Sequence, residues 1–266
     1  AVGKYMIVDS STRRNLELTE TLREKQKKGS LLWVLDKTKT AMGARRLRQM
    51  LEQPLVVGGD IVTRQQAVAY LKDEVITREE LREYLNPVYD LERLIGRIST
   101  RSAGPRDLIA LKSSLSMLPH IKYLIRECSV ELLHELHDEI DELEDVCTLI
   151  EKAIVDEPPI AVKDGGLIKE GFNDEIDRLR TAKTEGKSWL AQLESDERER
   201  TGIKNLRIKY NKVFGYYIEV LNSFKGNVPE DYVRKQTLTN AERYSTPKLK
   251  ELADIILNAE DKLFSL

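Results

Sequence analysis

Lys235 and Arg234 stand in the stretch YVRKQTLTNAERYSTP (232–247), with Arg243, two amides and a row of hydroxyls around them. Glu242 is the one carboxylate within the stretch. Cations with Asn, Gln and Thr donors on an extended chain suit phosphate oxygens, which accept hydrogen bonds and carry negative charge. The same residues equally describe a solvated sheet edge kept soluble by Lys and Arg. Catalytic chemistry has weaker candidates. His134 and His137 lie near Glu131, Asp138 and Asp141, a conceivable metal set that a solvated acidic helix face explains more simply. Glu197 and Glu199 lie on a charge-dense helix. No GxxxxGK[ST] or GxGxxG run is present, and no Ser/His/Asp or Cys/His spacing supports a nucleophile. The reading is a non-enzymatic chain with no catalytic, cofactor or metal site of its own.

The elements that must position the basic stretch are legible. NLRIKY alternates, with Leu206, Ile208 and Tyr210 on one face and Arg207 and Lys209 on the other. GYYIEV alternates likewise, and NKVFG between them reads as a five-residue hairpin loop. YVRKQTL reads as a third strand. Heptad-spaced residues flank this insert, from Phe172 to Leu193 before it and from Leu249 to Leu266 after it. Lys183 and Gly186 weaken the middle of the first run. The pattern predicts an antiparallel helical pair bearing a small β module at its tip, with Gly202 stopping the outgoing helix. That helix would project roughly 40 Å. The final heptad position carries no cap, which suggests a chain cut within a helix.

The first half predicts short helices. Thr40 caps one that runs to Gln53 before Pro54; Thr77 and Glu80 make a capping box; Asp90 starts another, and Pro105 sits in a first turn. Apolar residues from Leu132 to Ile150, spaced 4, 4, 3, 4, 3, predict one acidic helix. Lys and Arg outnumber acids twelve to six over residues 1–54 and eight to four over 201–246, whereas 131–157 hold eleven acids and Lys152. This segregation leaves nucleic acid open although the net charge is −2. No apolar run reaches membrane-helix length, and Cys128 and Cys147 form no CxxC pair, which suggests a reduced cytosol.

Five stretches, YMIVDSSTRRNLELTETLR, GSLLWVLDKTKTAMGARRLRQMLEQPL, DLERLIGRISTRSAGPRDLIALKSSL, LESDERERTGIKNLRIKYNKVFGYYIEV and VPEDYVRKQTLTNAERYSTPKLKE, together resemble the MutS family of bacterial DNA mismatch-repair proteins. The resemblance spans nearly the whole chain and weakens around 120–165. It covers the family's central core, lever and clamp, so the mismatch reader and the ATPase belong to other parts of the family's chain. The implied fold is mainly α: a helical core at 1–124, lever helices at 125–186, a β clamp at 187–246 and a returning lever helix at 247–266. The implied function is sequence-independent gripping of duplex DNA, coupled through the lever to the ATPase. By motif, Asn211 and Lys212 fall at a clamp-tip loop, and Arg234, Lys235, Thr239 and Asn240 at backbone-contacting positions. Many relatives carry Lys where Thr239 stands. Arg13 and Arg14 fall in the core as structural residues.

The resemblance further implies double-stranded DNA, a second protomer and downstream factors such as MutL as partners, with no membrane. It implies ATP and Mg for the full-length protein and a cytoplasmic, nucleoid-associated location. ERERTG, GYYIEV and NAERY point to the mismatch-repair branch rather than to paralogues in recombination or ribosome rescue. A coiled-coil scaffold whose charged tip binds protein is the competing reading.

Overall fold

Local punctuation sets most helix ends in the computed structural model, which describes residues 3–266, the side chains of Lys225 and Glu260 excepted. The first ten helices are α1 (Ser10–Asn15), α2 (Leu31–Leu35), α3 (Ala41–Glu52), α4 (Gly58–Asp73), α5 (Val75–Leu85), α6 (Leu91–Ser99), α7 (Pro105–Leu115), α8 (Leu118–Ile125), α9 (Glu131–Glu139) and α10 (Glu144–Ala153). Thr40 caps α3 by accepting the Gly43 N–H at 2.9 Å, and Asp90 caps α6 by accepting that of Arg93 at 3.2 Å. Pro105 opens α7, where Asp107 accepts the Gly104 N–H at 2.8 Å.

Two helical expectations need correction. The Thr77–Glu80 capping box does not form, because α5 already begins at Val75 and Thr77 lies inside it. Arg78 takes over the stitching there, donating through Nη1 to the Leu71 and Lys72 carbonyls at 3.0 and 2.8 Å. The acidic stripe is two helices, not one. Leu143 adopts φ +49°, and Asp141 accepts the Leu143 N–H at 3.0 Å, a local turn that competes with helix.

Packing divides the chain between Lys169 and Glu170. In the first unit, α6, α7 and α10 bury Leu94, Leu111, Leu115 and Ile150, while α4 and α9 bury Ala67 and Leu133 beside Cys128. A bridge from Ile154 to Ile168 follows α10. Within the expected lever span 125–186, α9 and α10 pack with the helices of residues 1–124, while residues from Glu170 onward belong to the second unit.

The second unit begins with α11 (Asp174–Thr201), capped by Asn173 and ended by Gly202 at φ +72°. Strands β1 (Arg207–Asn211), β2 (Gly215–Leu221), β3 (Val233–Thr237) and β4 (Ala241–Ser245) follow, and then α12 (Pro247–Ser265). The sheet is antiparallel throughout, in the order β1-β2-β4-β3. The anticipated three strands are four. YVRKQTLTNAERYS is a complete hairpin, and β4, hidden in its polar second half, lies between β2 and β3. Leu190, Leu193 and Leu249 of the helices meet Ile203, Leu206, Ile218, Val220, Tyr232 and Tyr244 in one core. Farther along the helical pair, Leu179, Ala182 and Ala259 form a second cluster. Gly186 is a contact point rather than a weak one: a Cβ there would lie 2.9 Å from Ile256 Cγ1.

Candidate nucleic-acid interface

The root of the sheet is tied to α11 by its charged last turns. Glu194 accepts the Ile208 N–H at 2.8 Å and Arg198 Nη2 at 2.6 Å, and Arg198 Nε donates to the Leu206 carbonyl at 2.8 Å. Glu197 is buried and accepts from Arg200 at 2.9 and 3.0 Å and from the Tyr232 hydroxyl at 2.6 Å. Arg200 reaches both Asp231 oxygens at 3.1 and 3.2 Å. Burial, with the Glu197 carboxylate beside it, pushes the Tyr232 hydroxyl above its ordinary pKa. ERERTG therefore acts as a clasp between helix and sheet. Spacing alone left Glu197 as one more charge on a helix; its burial partner, Tyr232, is 35 residues away.

Most strand cations are already engaged. Lys209 lies 2.7 Å from Glu219, Arg243 lies 3.9 Å from the same residue, Arg207 lies 3.9 Å from Glu194, and Arg234 lies 3.5 Å from Glu242. Arg243 also stacks over the Tyr217 ring at 4.4 Å and donates to Gln236 Oε1 at 2.9 Å. Glu242 is buried and accepts the Tyr244 hydroxyl at 2.5 Å; burial, helped by that carboxylate, pushes the Tyr244 pKa up to about 12.

Lys235 and Lys212 are different. Lys235 is the extra residue of a bulge, since Arg234 pairs with Tyr244 and Gln236 with Arg243. A bulge re-aims the side chain it carries, and Lys235 is exposed without an ion pair among the described residues. Lys212 is likewise exposed and unpaired among them, in the turn between β1 and β2. That turn holds three residues rather than five, because Asn211 and Gly215 pair. Asn211 Oδ1 accepts the Val213 N–H at 2.7 Å, and Gly215 closes the turn at φ +74°.

Thr239 and Asn240 form the β3–β4 turn, closed by the Leu238 N–H on the Ala241 carbonyl at 2.8 Å. Asn222 braces it, its backbone N–H donating to the Asn240 carbonyl at 3.0 Å and its Nδ2 to that of Thr239 at 3.0 Å. No local pattern marks Asn222 for this role. The pairing of β2 with both neighbours puts the two turns at opposite ends of the sheet: Gly215 is opposite Asn211, and Leu221 is opposite Ala241. Seven residues of β2 separate them by about 20 Å. The six expected residues thus do not form one cluster. Asn211 and Lys212 occupy one end, Thr239 and Asn240 the other, and Arg234 and Lys235 the β3 edge between.

A four-stranded antiparallel sheet seated on a pair of long helices, with its two hairpin turns at opposite ends, defines a helix-borne β module. A family model described as MutS domain III matches residues 11–265, and the chain belongs to the MutS family. It is 67% identical over 264 residues to the DNA mismatch repair protein MutS of Lachnoclostridium phytofermentans, covering 99% of this chain and 28% of that protein. It is 56% identical over 266 residues to the protein of the same name in Ruminiclostridium cellulolyticum, covering 100% and 30%. With the one from Acetivibrio thermocellus it shares 57% identity over 265 residues, again covering 100% and 30%. The chain therefore spans under a third of the length of these curated relatives.

Proposed function

We propose that the β1–β4 sheet contacts the sugar-phosphate backbone of duplex DNA without reading sequence, and that α11 and α12 serve as the lever that carries its position to the rest of a mismatch-repair protein. The observation that carries this reading is the division of labour among the cations. Arg207, Lys209, Arg234 and Arg243 sit within 4 Å of carboxylates, while Lys212 and Lys235 are exposed without an ion pair among the described residues. An unpaired ammonium on a rigid edge can replace a counterion on a phosphate at little cost, giving affinity without base preference. Thr239 and Asn240 add hydroxyl and amide donors about 20 Å from the Lys212 turn.

In this reading the chain itself is not catalytic. Nucleotide chemistry, with ATP and Mg, belongs to other parts of the longer protein, as do closure around DNA by a second protomer and exchange with factors such as MutL. The protein works at DNA in the cytoplasm.

Fluorescence anisotropy with a matched and a mismatched duplex, over a salt series, tests the proposal. Equal affinity for both duplexes and a steep fall with salt are expected. Lys235→Gln should weaken binding to both alike and reduce the log K against log salt slope by about 0.9. Binding that ignores salt, or that Lys235→Gln leaves untouched, would instead favour a scaffold whose charged tip meets protein.

A further inference from the structure

Phosphate contact does not require what the β1–β2 turn displays. Val213 is 82% exposed and Phe214 48%, and Tyr210 beside them is 53% exposed, its ring 5.0 Å from that of Tyr216. Slackness does not account for this, since Asn211 Oδ1 pins the Val213 N–H and Gly215 closes the turn. The other end of the sheet is polar, with Thr239 and Asn240 braced by Asn222. The two ends therefore offer different chemistry: an apolar knuckle with one ammonium, and a turn of hydroxyl and amide.

We propose that Val213 and Phe214 seat in the minor groove of duplex DNA, with Lys212 on a neighbouring phosphate. The proposal rests on the backbone-contact reading above and names the part of the duplex that this turn meets. A minor groove is about 6 Å wide and walled by sugar carbons: too narrow for the two strands themselves, it admits the apolar side chains at the tip of the turn and gives them something dry to touch. In the major groove, about 12 Å across, apolar side chains find the thymine methyl group, a contact that would make binding depend on sequence. The minor groove also presents a degenerate pattern of acceptors, so apolar contact there keeps binding tolerant of sequence.

A second copy of the chain fits this knuckle less well. In a two-fold contact each Lys212 would face its own counterpart's neighbourhood, like charge on like. Two side chains also fall far short of the roughly 1,200 Å² that a specific protein interface buries.

The test titrates a 20-base-pair duplex with the chain over a salt series, comparing the unaltered protein with Val213→Ser, Val213→Ser/Phe214→Ser, Lys212→Gln and Lys235→Gln. Val213 touches little of the fold, so the single variant reports contact rather than folding, and thermal melts confirm that each variant is folded. The double variant should bind about ten-fold more weakly and the single a few-fold, both with an unchanged salt slope. Lys212→Gln should instead lower the slope by about 0.9. Filling the minor groove beforehand with a polyamide ligand should weaken the unaltered protein to the level of the double variant and barely affect the double variant. If both apolar variants bind as the unaltered protein does while Lys212→Gln and Lys235→Gln still weaken binding, the groove contact is wrong and the backbone reading stands. If none of the four variants changes DNA binding, both fall. Loss of self-association in sedimentation with DNA affinity intact would overturn the proposal in favour of a contact between copies.

Discussion

Gly186 shows how one residue can be misread from pattern. In the heptad run it is a gap, the absence of a knob at a position where Leu or Ile is wanted. In the fold it is buried, and Ile256 of α12 fills the space that its side chain would take, with Cγ1, Cδ1 and Cγ2 all within 3.2 Å of a Cβ built there. Gly186→Ala should therefore destabilise the helical pair by about 1–3 kcal/mol, despite alanine's better helix propensity. Adding Ile256→Ala to that variant should recover part of the loss, because it opens the contested space. Urea unfolding of the single and double variants measures this; a Gly186→Ala protein more stable than the original would show that helix propensity outweighs the contact.

At the scale of elements, the joint between α11 and the sheet is the decisive feature. Glu197 gathers Arg200 and the Tyr232 hydroxyl from a buried position. Tyr232→Phe removes one donor but leaves the carboxylate paired with Arg200, so it should cost about 1 kcal/mol. Glu197→Ala strands the buried Tyr232 hydroxyl and leaves Arg200 with Asp231 alone, and should cost more, roughly 1–3 kcal/mol. Equilibrium unfolding by circular dichroism gives the order, and equal losses would mean that the carboxylate is not the hub. The same scale explains the missed strand. β4 alternates Glu242 and Tyr244 inward, yet its run AERYS reads as polar because a buried carboxylate is masked until its partners Tyr244 and Arg234 are known. The split of the acidic stripe at Leu143 belongs here too, since apolar spacing persists across a turn that breaks the helix.

At the scale of the whole chain, part of the N-terminal basic block is neutralised inside the first unit: Arg13, Lys27, Arg45 and Arg48 each face a carboxylate. Arg45 binds Asp90 through two hydrogen bonds at 2.7 and 2.8 Å and reaches Glu92 at 3.1 Å. Arg13 lies 3.7 Å from Glu52, and Lys27 pairs with Asp36. The Arg45 guanidinium holds the Asp90 carboxyl at about 2, and Lys27, with Thr38 beside it, does the same for Asp36. A carboxyl whose pKa is depressed by folding contributes stability above its ordinary value of 3.8 and loses it as pH falls toward 2. Asp90→Asn keeps a side chain able to cap α6 but loses the ion pair. It should be less stable than the unaltered chain at pH 7, with the difference closing between pH 4 and 2. Denaturant midpoints across that range test it, and a constant difference would rule out the ion pair as its source.

The features legible along the chain are local or periodic. The stops at Gly202 and Pro54, the caps at Thr40 and Asp90, the alternation of β1 and β2 and the heptads of α11 and α12 all arise from interactions within a few residues or from a repeating face. The family, too, was legible, because its motifs are runs of adjacent residues. Which charges are spoken for depends on packing and strand register. Lys209 and Lys235 are alike in sequence, yet one faces Glu219 across a strand pair and the other stands on a bulge. Only strand order put Lys212 and Asn240 at opposite ends of β2, since β4 inserts between β2 and β3. Ion pairing and register join residues tens of positions apart, and neither leaves a mark on the spacing of neighbours along the chain.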